Sequence, residues 1–273
     1  MALPGSIEFA NYLEALEATC SYNVDYDVFN IRRVSLWRNR PIEWNLLMAA
    51  VQFWYPEDHV FRFGLDEVCP TYEEFSAMMG INPSVAAALP EFSRSPRDLL
   101  AGLLRISPSA ARSLVVGGMI SLPAVLQSVH LREVGDAGHS GAVVLGLVSK
   151  LLLVTGELLV DPQLAAITSW MSYRRNPAAV ILAETLNGLD AWREGRSDFL
   201  RGIPVMLFMW LSERLRLVAL PEYPLSAVPN FFSRHFFIFG QDVAGWENWF
   251  VENGARNLTG QCLGGGSCSL FWS

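Results

Sequence analysis

The residues best suited by type to covalent chemistry lie in Gly138-His139-Ser140-Gly141-Ala142. A glycine two residues before a serine and another two after it mark the elbow that presents a serine nucleophile, where small residues let the chain turn sharply from strand to helix. Ala142 stands where the second glycine belongs. Asp190 and His235 then follow Ser140 in the chain order of a hydrolase triad. The elbow needs a buried strand directly before the serine, and Val129-His-Leu-Arg-Glu-Val-Gly135 is too polar to supply one. The strand–helix alternation of a parallel sheet is missing elsewhere as well. Glu133 to Gly141 therefore reads as a polar, glycine-dense surface loop, and a degenerate serine hydrolase is the weakest reading of the chain.

Other chemistries find less support. A metal would have to draw on His59, His130, His139, His235 and scattered carboxylates, and no two of these histidines sit four apart on one helix. Cys20, Cys69, Cys262 and Cys268 have neither metal-type doublets nor a dense disulfide pattern, which reads as reduced thiols in an intracellular protein. Neither glycine-rich phosphate cradle occurs in its required context. Lys150, the only lysine, lies in Leu147-Val-Ser-Lys-Leu-Leu-Leu-Val154 with no phosphate cup nearby, so it reads as a lysine snorkelling from a buried helix and not as a pyridoxal-phosphate anchor. No catalytic residue, metal or cofactor is expected.

Binding is better represented. Arg174-Arg175, ahead of Asn176-Pro177 and with Arg193 and Arg196 further on, forms either a phosphate-contacting patch or a solvated pair. Trp246, Trp249 and Phe250, with Phe236-Phe237, form either a partner-binding face or ordinary core. A formal charge of −7 and a pI near 5.2 argue against a broad nucleic-acid footprint, leaving room only for a local basic patch. The first residues lack a basic region and an apolar run, and the long apolar stretches are interrupted by glycine, proline or charge, so neither a signal peptide nor a membrane span is expected.

Helices must position these residues. Trp44, Leu47, Met48, Val51 and Trp54 recur at helical steps, with Pro56 ending the run. Val60-Phe61-Arg62-Phe63 reads as a short strand that Gly64-Leu65-Asp66 turns back. Pro70 precedes Thr71, which with Glu74 makes a capping box opening a helix through Phe75 to a stop at Gly80. Further helices are expected at 7–16, 96–104, 107–117, 122–129, 142–159, 163–173, 178–193, 205–217 and 243–251, the 205–217 helix centrally placed because its first half is almost wholly apolar. With 51% hydrophobic residues and 17% charged ones, the material for a core is ample. The expectation is a mainly α protein, a compact multi-helix domain over residues 1–256 with one small β-hairpin-like element near 59–69, and a flexible glycine- and serine-rich tail over 257–273.

Two blocks carry a resemblance. Val51-Gln-Phe-Trp-Tyr-Pro-Glu-Asp-His-Val-Phe-Arg-Phe-Gly64, continued by Glu67-Val-Cys-Pro-Thr-Tyr-Glu-Glu-Phe-Ser-Ala-Met-Met-Gly80, resembles the plant mobile domain, the so-called aminotransferase-like domain of plant transposons and retrotransposons and of host proteins derived from them. Its motif positions here are Trp54, Pro56, Phe61, Phe63, Gly64, Pro70, Thr71, Glu74 and Phe75. Asn176–Asp190 and Gly202–Leu215 are similar to the later helices of that family. The resemblance implies a nuclear, non-enzymatic protein acting through protein partners, a phosphatase-like protein among them, in transposon silencing and genome maintenance. A nucleic-acid-associated transposon accessory using Arg174 and Arg175 is the alternative reading.

Overall fold

A computed structural model describes residues 42–90, 94–130, 137–152, 159–197, 200–215, 218–219, 236–237 and 241–257. The expected helix at 7–16, Cys20, Cys262, Cys268, His235 and the tail from 258 onward lie outside the described residues. Helices dominate, accompanied by small antiparallel sheets. The chain divides into two compact units, each assembled from separated stretches. Among the described residues, one gathers 42–70, 189–197 and those from Pro204 onward; the other holds Thr71–Gly188 and is completed by 200–203.

In the first of these units, helix α1 spans Trp44–Val51 and buries Leu46, Leu47, Ala49, Ala50 and Val51. The expected stripe is corrected here: Met48 faces outward and Trp54 is not helical. The helix stops at Val51 because Phe53-Trp54-Tyr55 gains more from extended pairing, where aromatic side chains pack well, than from one more helical turn. Strands β1 (Trp54–Tyr55), β2 (Val60–Phe63) and β3 (Asp66–Val68) form a three-stranded meander, wider than the single hairpin-like element expected. Trp54 lies opposite Phe61, and Phe61 opposite Val68. Gly64, at φ 67°, takes the left-handed turn that the tight β2–β3 connection requires.

The two-residue period of a strand sends Trp54, Phe61 and Phe63 inward and Tyr55 and Arg62 outward. The inward rings meet α9 (Pro204–Arg214) and α10 (Val243–Asn257). Phe61 lies 6.0 Å from Trp210, and Phe63 stacks on Phe250 at 5.2 Å. Helix α9 is buried over Pro204–Ser212, as its unbroken apolar run requires. A two-residue pairing, β7 (Val218–Ala219) with β8 (Phe236–Phe237), is also formed.

In the second unit, α2 (Tyr72–Met79) opens with the capping box read from the sequence. The Glu74 N–H donates to Thr71 Oγ1 at 3.3 Å, and the Thr71 N–H donates to Glu74 Oε2 at 2.9 Å. Gly80 closes the helix at φ 76°. Helices α3 (Pro96–Leu104) and α4 (Pro108–Arg112) begin at serine caps, Ser95 and Ser107, each followed by proline. The expected helix 107–117 is cut short because Gly117-Gly118, both at positive φ, turn β4 (Val115–Val116) onto β5 (Met119–Ser121). Strand β6 (Leu159–Val160) completes this second sheet beside β5.

Helix α5 (Leu122–His130) precedes α6 (Ala137–Leu152), which packs on α3, α5 and α7 (Gln163–Ser172). The loop expected to reach Gly141 is corrected: residues 137–141 are already helical. Within this helix, a Cβ at Gly141 would come within 2.7 Å of the Leu103 carbonyl, so the glycine lets two helices approach closely.

Helix α8 (Ala178–Arg193) begins after Asn176, as expected. Asn176 is fully buried and has no exposed role. Its Nδ2 donates to Tyr72 Oη and Ser76 Oγ, both at 2.9 Å, and its Oδ1 accepts from the Ala178 N–H.

Candidate functional site

The outward side of the β1–β3 meander carries exposed side chains suited to contact. Tyr55 is 44% exposed, and the Arg62 guanidinium lies 4.3 Å above its ring. Arg62 is held from two further sides. Its Nε donates to Glu67 Oε1 at 2.6 Å, and its Nη2 pairs with Asp58. The cross-strand position of Glu67, opposite Arg62, and the i+4 position of Arg62 after Asp58 make this possible. Its hydrogen bond to Glu67 holds the Arg62 pKa above its ordinary value, helped by the bond to Asp58 and both nearby charges and opposed by desolvation. Leu65, at the tip of the β2–β3 turn, is 101% exposed. Tyrosine and an oriented arginine are residue types that anchor protein contacts, and the exposed Leu65 adds apolar surface on the same element.

Beside them lies an imidazole–carboxylate–indole cluster. Asp190 Oδ1 accepts from Trp54 Nε1–H at 2.8 Å, and Asp190 Oδ2 lies 2.9 Å from His59 Nε2. The His59 ring stacks on Trp54 at 6.1 Å. His59 sits at φ 53°, a conformation rare for a residue with a Cβ, and the cluster over-determines it. Its side chain is 49% exposed while that of Asp190 is 14% exposed. Both carboxylate oxygens are thus occupied, and Asp190 clamps the β1–β2 turn by its indole and imidazole. Arg193, one turn further along α8, donates to Gln52 Oε1 at 2.9 Å.

This cluster corrects the sequence reading of Asp190 as a triad member. Its imidazole partner is His59, 131 residues before it, and His235 lies outside the described residues. Ser140 is the fourth residue of α6, three helical residues after its start, and not at a strand–helix elbow. His139 is 3% exposed, and neither ring nitrogen has a hydrogen-bond partner among the described residues. The side chain of Lys150 lies outside the described residues, as does that of His130. Among the described residues no three of His, Cys, Asp and Glu group as a metal site would need, and no helix is long and apolar enough to cross a membrane.

The two possible contact clusters resolve differently. Trp246 is buried, with its ring 6.4 Å from Phe250 and 6.0 Å from Trp249, so it is core; Trp249 is half-buried. Arg174 is exposed and Arg175 half-buried, at the loop between α7 and α8, whereas Arg193 and Arg196 belong with the residues following Leu189. Trp54, Phe61, Phe63, Pro70, Glu74 and Phe75 of the resemblance block are buried, and Pro56 and Thr71 are half-buried. The His59–Asp190 pair escaped sequence reasoning because its members are far apart in the chain. The only local hint was the polar Asp58-His59 preceding an apolar strand.

No family model, curated protein or solved structure matches this chain.

Proposed function

We propose that the chain is a non-enzymatic binding protein of the plant mobile-domain kind, nuclear and transposon-derived, which acts by protein–protein contact in transposon silencing and genome maintenance. The observation that carries the binding role is the meander: its inward rings make core, while its outward side presents Tyr55, the braced Arg62 and Leu65. Rigid aromatic and arginine anchors lose little entropy when they are covered, which favours recognition. The family identity rests on the sequence blocks, and the nuclear setting and a phosphatase-like partner rest on the same resemblance.

The test compares affinity purification from plant nuclei using the wild-type chain and two variants, Leu65→Asp and Tyr55→Ala. A partner retained by wild type and lost by both variants, with unchanged circular dichroism, is the expected result. Equal recovery by all three would place the interface elsewhere. Turnover of ester or amino-acid substrates that is abolished by Ser140→Ala or Lys150→Ala would overturn the non-enzymatic reading.

A further inference from the structure

The outer face of the β1–β3 meander has a charge pattern as definite as its register. Tyr55 stands opposite Val60 at one end of β2, and Leu65 tips the turn beyond the other end. Val60 and Leu65 lie up to roughly 16 Å apart at the rise of an extended strand. Arg62 and Glu67, directly opposite each other, occupy the face between those ends. The Arg62 guanidinium covers one side of the Tyr55 ring, and solvent still reaches 44% of that residue.

Three carboxylates serve this one guanidinium. Arg62 engages Oε1 of Glu67 and Oδ2 of Asp58, whose side chains are 51% and 53% exposed. Their second oxygens, Glu67 Oε2 and Asp58 Oδ1, bond to no described residue, and neither does the exposed Glu57 carboxylate on the β1–β2 turn. The outer face and its turn therefore stay negative after Arg62 is counted. His59, on the same turn, is tied to Asp190. The arginines of neighbouring elements have other contacts. Arg193 donates to Gln52, Arg196 pairs with Glu194, and Arg214 lies over Trp210, which meets Phe61 on the inward side. The Arg256 side chain lies outside the described residues.

We infer that this face takes a short basic peptide in extended form, a reading that rests on the protein-binding role proposed above and names the partner's chemistry. An extended chain presents every second side chain to one side. Two apolar side chains so presented cover Tyr55 and Leu65, and a lysine or arginine between them reaches Glu67 Oε2 and Asp58 Oδ1. A further basic residue beyond the Tyr55 end meets Glu57. Complementary charge sets the register and speeds encounter, while the tyrosine supplies most of the affinity. An acidic partner would meet open carboxylates and an arginine already engaged twice.

The test is fluorescence anisotropy of the full chain with the labelled peptide Lys-Leu-Ser-Lys-Ser-Leu-Lys, across a salt series. Two control peptides replace either its lysines by glutamate or its leucines by serine. The first peptide should bind, more weakly as salt rises, and both controls should bind less. Tyr55→Ala should weaken binding by about tenfold, as loss of an interface anchor does. Glu57→Gln and Glu67→Gln should each weaken it by about two- to fivefold, the range of an exposed ion pair. Glu67→Gln keeps an acceptor for Arg62, and Glu57 bonds to no described residue, so neither change removes a bond that holds the sheet. Glu247→Gln with Glu252→Gln, on the α10 helix whose Phe250 packs under the inward rings, should change nothing. An equal loss from that pair would reduce the attraction to net charge and overturn the assignment. So would no binding at low salt, equal binding of either control peptide, or unaltered binding by Tyr55→Ala and Glu57→Gln. A nuclear partner captured through Tyr55 and Leu65, with no binding of the lysine peptide, would overturn this assignment and leave the protein-binding role standing.

Discussion

At the scale of single residues, two glycines distinguish conformational freedom from crowding. Gly195 and Gly202 both have positive φ, 70° and 86°. Nothing lies within 4 Å of a Cβ built at Gly195, whereas one at Gly202 would fall on the backbone and hydroxyl of Thr185. Gly195→Ala should therefore cost about 1–2 kcal/mol from backbone strain alone. Gly202→Ala adds overpacking for a total of about 2–5 kcal/mol. It would also displace Ile203, whose N–H donates to Thr185 Oγ1 at 3.1 Å. Urea denaturation of both variants measures the difference, and equal losses would show that the Thr185 contact yields easily. His139 gives the opposite sign. Its two buried nitrogens find no partner among the described residues, a standing desolvation cost, so His139→Leu should raise stability by roughly 1 kcal/mol. A drop on denaturation would mean that the imidazole has a partner such as an internal water.

At the scale of elements, the capping box offers the cleanest measurement. Thr71→Ala removes the acceptor of the Glu74 N–H and should destabilise by about 1 kcal/mol, while Thr71→Ser should cost a fraction of that. Equal thermal melts for Ala and Ser would show that the helix start is fixed by packing instead. This box, Gly80, the α8 limits and the Val60–Phe63 strand were all legible in the sequence, because each depends on side chains within four residues of one another. The mainly helical character with small β elements followed from the same local signals.

What was not legible depended on distant partners. Trp54 fits a helical stripe as well as a strand until Phe61 is placed opposite it. Gly117-Gly118 is a strong hairpin signal in hindsight, but the strands it joins are two and three residues long, too short to show alternation. Residues 138–141 are helical although their glycine content argues against it, and Gly141 packs against Leu103, a distant contact that the sequence does not display. Of the candidate site, the Val60–Phe63 strand that carries Arg62 could be named from the sequence. The His59–Asp190 pair could not, since its members lie 131 residues apart.

At the scale of the whole molecule, acid–base behaviour includes an unusual carboxylate. Burial raises the Glu184 pKa above its ordinary 4.5, and Asp161 adds to the rise while Arg201 opposes it. A raised carboxylate pKa means the folded state holds its proton more firmly than the unfolded chain does. Its contribution to stability is therefore complete below the ordinary value and is lost as pH climbs through the raised one. Glu184→Gln should accordingly be more stable than wild type at neutral pH and indistinguishable from it at pH 3–4. A pH series of thermal melts measures this, and a constant difference at every pH would assign the effect to packing. The interleaved make-up of the two units has one more effect, on synthesis. Phe63 leaves the ribosome ~190 residues ahead of Phe250, which stacks on it in the finished protein. At bacterial to eukaryotic translation speeds that is a wait of about ten to forty seconds. Throughout it, Trp54, Phe61 and Phe63 stay without their last cover, which makes the nascent chain a natural client for holdase chaperones.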